Sequence, residues 1–135
     1  MEQKKRIWVA VVVIENERGD IFIAKRSADR HQGDRWEFPG GKVEPGETDK
    51  EALEREIREG LLCKIDVKNK VTTTLHEYDF GFVNLTTFEC DLLEGEPVLT
   101  EHVAVKWLAV EELATLEWAP ADIPAIEILM GQTMG

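Results

Sequence analysis

The chain has 135 residues, 43% of them hydrophobic and 32% charged, which suits one folded domain with a buried core, and we predict a single domain over residues 1–135. Sixteen basic against 27 acidic residues give a formal net charge of -11, which argues against binding to a nucleic acid polymer or an anionic membrane because both need a basic surface. A phosphorylated small molecule is not excluded, since a bound metal ion supplies local positive charge. The two cysteines fit neither a paired metal motif nor a disulfide-rich scaffold, which favours a reduced, cytoplasmic chain.

Two strands are predicted near the N-terminus. Ile7–Ile14 is apolar throughout, as in a strand that is covered on both faces, and turn residues separate it from Ile21–Ala24, its expected hairpin partner. The basic residues 4–6 before the first run resemble the start of a signal peptide, but no small-residue cleavage site follows, so the strand is favoured. Trp36–Phe38 is a short apolar-polar-apolar piece ahead of a glycine pair.

A helix is predicted next, because Thr48 and Glu51 form a capping box and Leu53, Ile57 and Leu61 form an apolar stripe at four-residue spacing. The remaining predicted elements are strands over Val67–Tyr78, Val83–Leu92 and Val103–Leu108, a short helix over Val110–Leu116, and a final helix over Asp122–Met130. Together they predict a mixed sheet with helices packed on it, an α/β sandwich.

The most informative stretch is Gly40–Glu47 together with the helix that follows it. Its two glycines allow the backbone to approach a ligand closely. On the helix, Glu56 and Glu59 are three residues apart and project from one side, where clustered carboxylates offer the oxygen ligands that Mg²⁺ or Mn²⁺ prefers. The alternative is a solvated acidic face balanced by Arg55 and Arg58, and the charge pattern alone favours this alternative.

The same stretch resembles the Nudix box, in which glycine, glutamate, an Arg-Glu pair, an aliphatic residue and further glutamates recur at fixed spacing. The matching residues are Gly41, Glu47, Arg55, Glu56, Ile57 and Glu59. Beyond the box, Ile21–Asp29, His31 and Trp36–Lys42 resemble MutT-type enzymes, and Ala119–Pro124 resembles the MutT-related CTP pyrophosphohydrolases of bacteria. The resemblance covers most of the chain and implies a Nudix-like α/β/α sandwich with a mixed β-sheet.

The resemblance implies a metal-dependent pyrophosphohydrolase that converts a nucleoside triphosphate and water to a nucleoside monophosphate and pyrophosphate, a function in nucleotide metabolism and DNA repair. Mg²⁺ or Mn²⁺ is the implied cofactor. Glu56 is the implied catalytic base. The implied metal ligands are the Gly40 carbonyl, Glu56, Glu59 and Glu101, although an ordinary loop carboxylate is an equal alternative for Glu101. Gly41, Glu47 and Arg55 have implied structural roles, with Glu47 paired to Arg55.

The substrate-binding residues implied are Arg26, His31, Glu37, Phe38, Lys42 and Asp122. A surface role remains open for His31. Three alternatives remain open for Asp122: an ionised carboxylate that accepts from an amino group such as cytosine N4, a protonated acid that serves an oxidised purine, and a plain helix N-cap. Phe38 and Trp118 are candidates to stack on the base or to lie in the core. CTP, dCTP or a modified cytosine triphosphate is the expected substrate, and 8-oxo-dGTP comes next.

Two positions depart from the Nudix box: Gly60 replaces the second consecutive glutamate, and Leu62 replaces glycine. Position 60 lies one helical turn beyond Glu56, where a carboxylate would reach the same ion. Gly60 provides no side-chain ligand and weakens the helix by about 0.5–1 kcal/mol relative to alanine. We therefore expect weaker metal binding and slower turnover. The alternatives are a catalytically impaired nucleotide-binding module and a hydrolase of another nucleoside diphosphate derivative, as monomer or homodimer.

Overall fold

The computed structural model describes residues 5–26, 33–97 and 104–134, with side chains described as far as residue 131. In chain order the elements are β1 (Lys5–Ile14), β2 (Ile21–Lys25), β3 (Trp36–Glu37), β4 (Gly40–Lys42), α1 (Asp49–Leu61), β5 (Lys64–Tyr78), β6 (Gly81–Glu94), β7 (Ala104–Leu108), two 3₁₀ helices (Val110–Thr115 and Pro120–Asp122) and α2 (Ile123–Met134). Within these ranges, no helix has the length and apolar character needed to span a lipid bilayer.

The strands form two sheets. One is mixed, in the order β4-β1-β6-β5, with β1 parallel to β6 and antiparallel to β4; the other is antiparallel, in the order β3-β2-β7. The predicted hairpin between the first two strands is wrong, because β4 and β6 occupy both edges of β1. An isolated bridge between Glu15 and Ile21 links the two strands, and β2 then runs in the other sheet.

Strand β1 separates two hydrophobic cores, as its uninterrupted apolar run predicts. Val11 and Val13 belong to the core that contains the buried residues of α2, whereas Ala10, Val12 and Ile14 belong to the core that contains those of α1. Successive side chains of a strand point to opposite faces, so one apolar strand supplies both cores. The helices thus cover opposite faces, which confirms the α/β/α sandwich with a mixed sheet.

Helix α1 begins as its sequence predicts and ends in a strained conformation. Thr48 Oγ1 accepts from the Glu51 backbone N–H at 3.1 Å, and Glu51 Oε1 accepts from the Thr48 N–H at 2.9 Å, which completes the capping box. At the other end, Leu62 has φ +56° and ψ +35°, the left-handed conformation in which glycine usually ends a helix. The box has glycine at this position because glycine adopts the left-handed conformation without strain. Leu62 adopts the same conformation, with its side chain exposed.

The C-terminal elements differ slightly from the prediction. The segment after β7 is a 3₁₀ helix that ends at Thr115, and the last helix begins at Ile123 after the 3₁₀ turn Pro120–Asp122. Pro124 lies in the first turn of α2, where its missing N–H costs no hydrogen bond.

Candidate active site

The two glycines of β4 bring the backbone against both β1 and α1. Gly40 has φ +156°, and a Cβ there would collide with the Ala10 carbonyl oxygen on β1. A Cβ on Gly41 would lie 2.5 to 2.8 Å from the carboxylate atoms of Glu56. Only glycine at position 41 therefore leaves room for the Glu56 carboxylate to rest against this strand.

Arg55 fixes the loop to the helix. Its Nε and Nη2 donate to the two carboxylate oxygens of Glu47 at 2.8 and 2.9 Å, so the predicted ion pair between these residues is present. The hydrogen bonds from Arg55 are the main cause that lowers the pKa of Glu47 to about 2, and the same pairing raises the pKa of Arg55. Nη1 of Arg55 also donates to Glu56 Oε1 at 2.9 Å, and Nη2 to the Lys42 carbonyl at 3.3 Å. One guanidinium thus holds the loop and orients Glu56.

The carboxylates on α1 remain accessible to solvent. The Glu56 side chain is 27% exposed, and the Glu59 side chain is 64% exposed and lies 3.8 Å from Arg55 Nη1. At Gly60, a Cβ would meet nothing within 4 Å among the described residues, so a side chain can begin there without a clash.

Glu56, which rests against Gly41, and Glu59, three residues further along α1, offer carboxylate oxygens of the kind that a hard divalent cation binds. Among residues 5–26, 33–97 and 104–134, no group of three or more His, Cys, Asp or Glu residues is arranged to hold a metal. Mg²⁺ commonly uses one or two carboxylates, keeps several waters and shares phosphate oxygens with its substrate. The donors contributed by Glu56, Glu59 and the glycine carbonyls fit an ion that binds together with a phosphorylated ligand.

A second polar cluster lies where the two sheets meet the start of α2. Nη1 of Arg26, just after β2, donates to Oε1 of Glu37 on β3 at 2.7 Å. Asp122 precedes α2 directly and is only 4% exposed, and its buried Oδ1 has no hydrogen-bond partner within the described part of the chain. Burial raises the pKa of Asp122 well above its usual range, Glu37 adds to the rise and Arg26 opposes it. The raised pKa favours the neutral form of Asp122, which would offer one donor and one acceptor.

Three aromatic rings, from the end of β5 and the turn after it, form a row beside this cluster, and the sequence interpretation missed this row. The Tyr78 ring lies between His76 and Phe80, with centroid distances of 4.5 and 5.6 Å, and the Tyr78 and Phe80 rings are nearly parallel at 8°. The Tyr78 oxygen accepts from the backbone N–H of Ala121 at 3.2 Å. The two-residue spacing could have revealed part of the row, because it places His76 and Tyr78 on one face of β5, and Phe80 follows in the turn after that strand.

Comparison with known proteins identifies the family. The NUDIX domain model matches residues 4–128. The chain belongs to the Nudix hydrolase family. This Nudix chain is 37% identical over 126 residues to the CTP pyrophosphohydrolase of Escherichia coli K12, which covers 93% of each chain. It is 33% identical over 122 residues to the 8-oxo-dGTP diphosphatase of the same organism, which covers 90% of this chain and 95% of that one. The solution structure of MutT from methicillin-resistant Staphylococcus aureus 252 matches with a TM-score of 0.80 at 50% identity, over 96% of this chain and 99% of that one.

The sequence-predicted residues of this Nudix hydrolase separate into two groups. The first, at the box, contains Gly40, Gly41, Lys42, Glu47, Arg55, Glu56 and Glu59. The second contains Arg26, Glu37 and Asp122. His31 and Glu101 lie outside the described residues.

The aromatic residues proposed to stack on a base lie in the core of the Nudix fold. Phe38 is 1% exposed and packs on the buried Trp118 ring at a centroid distance of 5.3 Å. Trp118 Nε1 donates to the Leu113 carbonyl at 2.7 Å, which satisfies the buried indole. Burial of both rings supports the core alternative for Phe38 and Trp118.

Proposed function

We propose that this Nudix hydrolase is a divalent-metal-dependent pyrophosphohydrolase that converts a nucleoside triphosphate and water to a nucleoside monophosphate and pyrophosphate, with activity attenuated by Gly60. The preferred substrates are CTP, dCTP or a modified cytosine triphosphate, followed by 8-oxo-dGTP. The observation that carries the proposal is the Glu56 carboxylate, which rests against Gly41 and is hydrogen-bonded by Arg55.

The phosphate end of the proposed site would hold the metal ion and would accept the proton of the attacking water. Bound Mg²⁺ or Mn²⁺ would neutralise charge on the phosphate oxygens and would assist the attacking water. Glu56, Glu59 and the Gly40 carbonyl would hold the ion, with Glu101 as a further proposed ligand. Arg55 donates to Glu56 Oε1, so we assign Oε2 of Glu56 to accept the proton of the water.

The remaining predicted contacts belong to substrate binding. We assign Arg26, His31 and Lys42 to the phosphates or their surroundings. These side chains would offset the phosphate charge, which matters in a chain with a formal net charge of -11. Arg26 is already paired with Glu37, so it would act with that carboxylate as a unit.

The base end is proposed to recognise the nucleobase through Asp122. A neutral carboxylic acid presents one donor beside one acceptor. Cytosine presents its N3 acceptor beside the N4 amino donor, so the two edges form paired hydrogen bonds. The O6 acceptor and protonated N7 of 8-oxoguanine have the same pattern, whereas ordinary guanine presents two acceptors there. The neutral acid thus fits cytosine better than the ionised form, which was the alternative that the sequence interpretation paired with cytosine N4, and the name of the 37%-identical relative favours cytosine.

Gly60 is the reason for the proposed attenuation and for a second candidate function. The described residues provide two carboxylates at the box and no larger metal-binding group. If two carboxylates cannot hold the ion through the reaction, the protein is a nucleotide-binding Nudix module that releases little product.

The test combines turnover with binding. Pyrophosphate release is measured for CTP, dCTP, 5-methyl-dCTP, 8-oxo-dGTP and dGTP with Mg²⁺ or Mn²⁺, and affinities are measured by calorimetry in Ca²⁺. Glu56→Gln provides the background rate. Release above that background, highest for a cytosine nucleotide, supports the proposal. Binding with release at background supports the module, and the absence of both overturns the proposal.

A further inference from the structure

The β5–β6 hairpin ends beside the proposed base site. Tyr78 pairs with Gly81 at the end of this hairpin, and its ring is half-buried against the core on the α2 side of the mixed sheet. The His76 and Phe80 rings flank it, so its orientation is fixed on two sides. The Tyr78 ring is therefore held between two other rings at the end of the β5–β6 hairpin.

The position of Asp122 depends on its backbone. Its Oδ1 has no partner among the described residues, so no side-chain hydrogen bond at that atom fixes the carboxyl group. The backbone N–H of Asp122 donates to the Ala119 carbonyl at 3.0 Å within the 3₁₀ turn, and the neighbouring N–H of Ala121 donates to the Tyr78 oxygen at 3.2 Å. The phenol thus fastens the turn that carries Asp122 to the mixed sheet.

Electrostatic effects connect the same groups. Burial is the main cause that raises the pKa of Tyr78, and an ionised Asp122 would raise it further, whereas the Ala121 hydrogen bond and the charges of Arg26 and Arg35 lower it. The charge of Glu37 on β3 raises the pKa of Asp122, and the charge of Arg26 after β2 lowers it. Tyr78 and Asp122 therefore share one polar environment, contributed by both sheets and by the turn before α2.

We propose that Tyr78 is a positioning residue for base selection: its oxygen holds the Ala121–Asp122 backbone so that the Asp122 carboxyl meets the edge of the base. This inference rests on the proposed function of Asp122 and adds a residue to it. Tyr78 acts through Asp122 and takes no part in the chemistry at the phosphates, so it affects substrate choice and KM and leaves kcat near its original value.

The test is Tyr78→Phe, which keeps the ring and removes the oxygen. Thr73→Val is the matched control, because it also removes one hydroxyl group from β5. The Thr73 Oγ1 atom lies 3.3 Å from Thr86 Oγ1, so this change also removes one hydrogen bond. For Tyr78→Phe we expect KM for the preferred triphosphate to rise about 3- to 10-fold and kcat to change less than about 2-fold, the size expected for one lost hydrogen bond. The ratio of kcat/KM between the preferred triphosphate and dGTP should fall by a similar factor, and Thr73→Val should keep it.

Calorimetric affinities for the same nucleotides in Ca²⁺ accompany the kinetics. They separate the inference from the proposed function, because base selection is measurable without turnover. A folded Tyr78→Phe protein with wild-type KM, affinities and base ranking overturns the inference. An equal loss of kcat for every base also overturns it, since that result assigns Tyr78 to the chemistry or to general stability. If the wild-type protein binds every base equally, both the proposed base selection by Asp122 and the positioning role of Tyr78 are wrong.

Discussion

The phosphate end and the base end of the proposed site are built in opposite ways. At the phosphate end, the described residues that would hold the metal come from one continuous stretch, residues 40–60, and the carboxylates reach solvent beside Arg55. The base end is assembled from residues as far apart as Glu37 and Asp122, and its central carboxyl is buried. A function that depends on local spacing is visible in a sequence, whereas one assembled from several strands requires the fold.

The two ends also hold their carboxyl groups in different chemical states. Arg55 lowers the pKa of Glu47, so that carboxylate is charged at every physiological pH. Burial raises the pKa of Asp122, so that group is neutral over a wider pH range. Substitutions and pH changes should therefore affect the two ends differently, because the charged end is proposed to perform the chemistry and the neutral end to select the base.

The largest effect is expected at the phosphate end. Glu56→Gln should reduce kcat by about 10²-fold or more, because it removes a metal ligand and the proton acceptor while keeping the shape of the side chain. The measurement is pyrophosphate release with saturating metal, with thermal unfolding as the check on folding. Glu54→Gln, on the same helix, is the control and should keep wild-type kcat. An active Glu56→Gln protein would remove Glu56 from the mechanism.

At the base end, pH should change selectivity. As pH rises through the pKa of Asp122, the acid loses its donor, so kcat/KM for a cytosine triphosphate should fall relative to that for dGTP, by about 10-fold at the limit. Asp122→Asn keeps one donor and one acceptor at every pH, so its selectivity should stay constant and similar to that of the wild type at low pH. A wild-type ratio that is as flat as that of Asp122→Asn contradicts a neutral Asp122.

The same carboxyl group should affect stability. In the unfolded chain an aspartate ionises near pH 4, whereas folding keeps Asp122 protonated, so the folded state binds more protons above that pH. The free energy of unfolding should therefore decrease as pH rises from about 4 towards the folded-state pKa. Urea unfolding of wild type and Asp122→Asn at pH 5 and 8 measures the effect: the advantage of Asp122→Asn should grow with pH. An advantage that is equal at both pH values would show that Asp122 ionises normally in the folded protein.

The smallest effect concerns the end of α1. Leu62→Gly should raise the free energy of unfolding by about 0.5–1 kcal/mol, because relief of the left-handed strain outweighs the greater freedom of glycine in the unfolded chain. Leu62→Ala is the matched control, since it removes the exposed side chain and keeps the strained backbone. Urea unfolding compares the two, and equal stabilities would exclude backbone strain as the reason for the glycine in the box.

Local patterns predicted much of this molecule. The capping box and the apolar stripe of α1 follow from residues a few positions apart, and the Glu47–Arg55 pair follows from the resemblance to the Nudix box; all three are present. The pairing of β1 failed, because an apolar run shows that a strand is buried without showing which strands flank it. Tyr78 escaped notice for a related reason, since its contact with Ala121 joins residues 43 positions apart.

We propose that a metal-dependent active site persists in this chain with one carboxylate fewer than the box provides. Pyrophosphate release from the preferred triphosphate should be compared for the wild type, Gly60→Glu and Gly60→Ala, in Mg²⁺ and in Mn²⁺. The structure leaves space for the Cβ that both substitutions add, and alanine controls for the gain in helix propensity. We expect Gly60→Glu to be about 10-fold faster or more with the same base ranking, and Gly60→Ala to remain at the wild-type rate. Equal rates for all three proteins would contradict the account, because position 60 would then have no part in holding the metal.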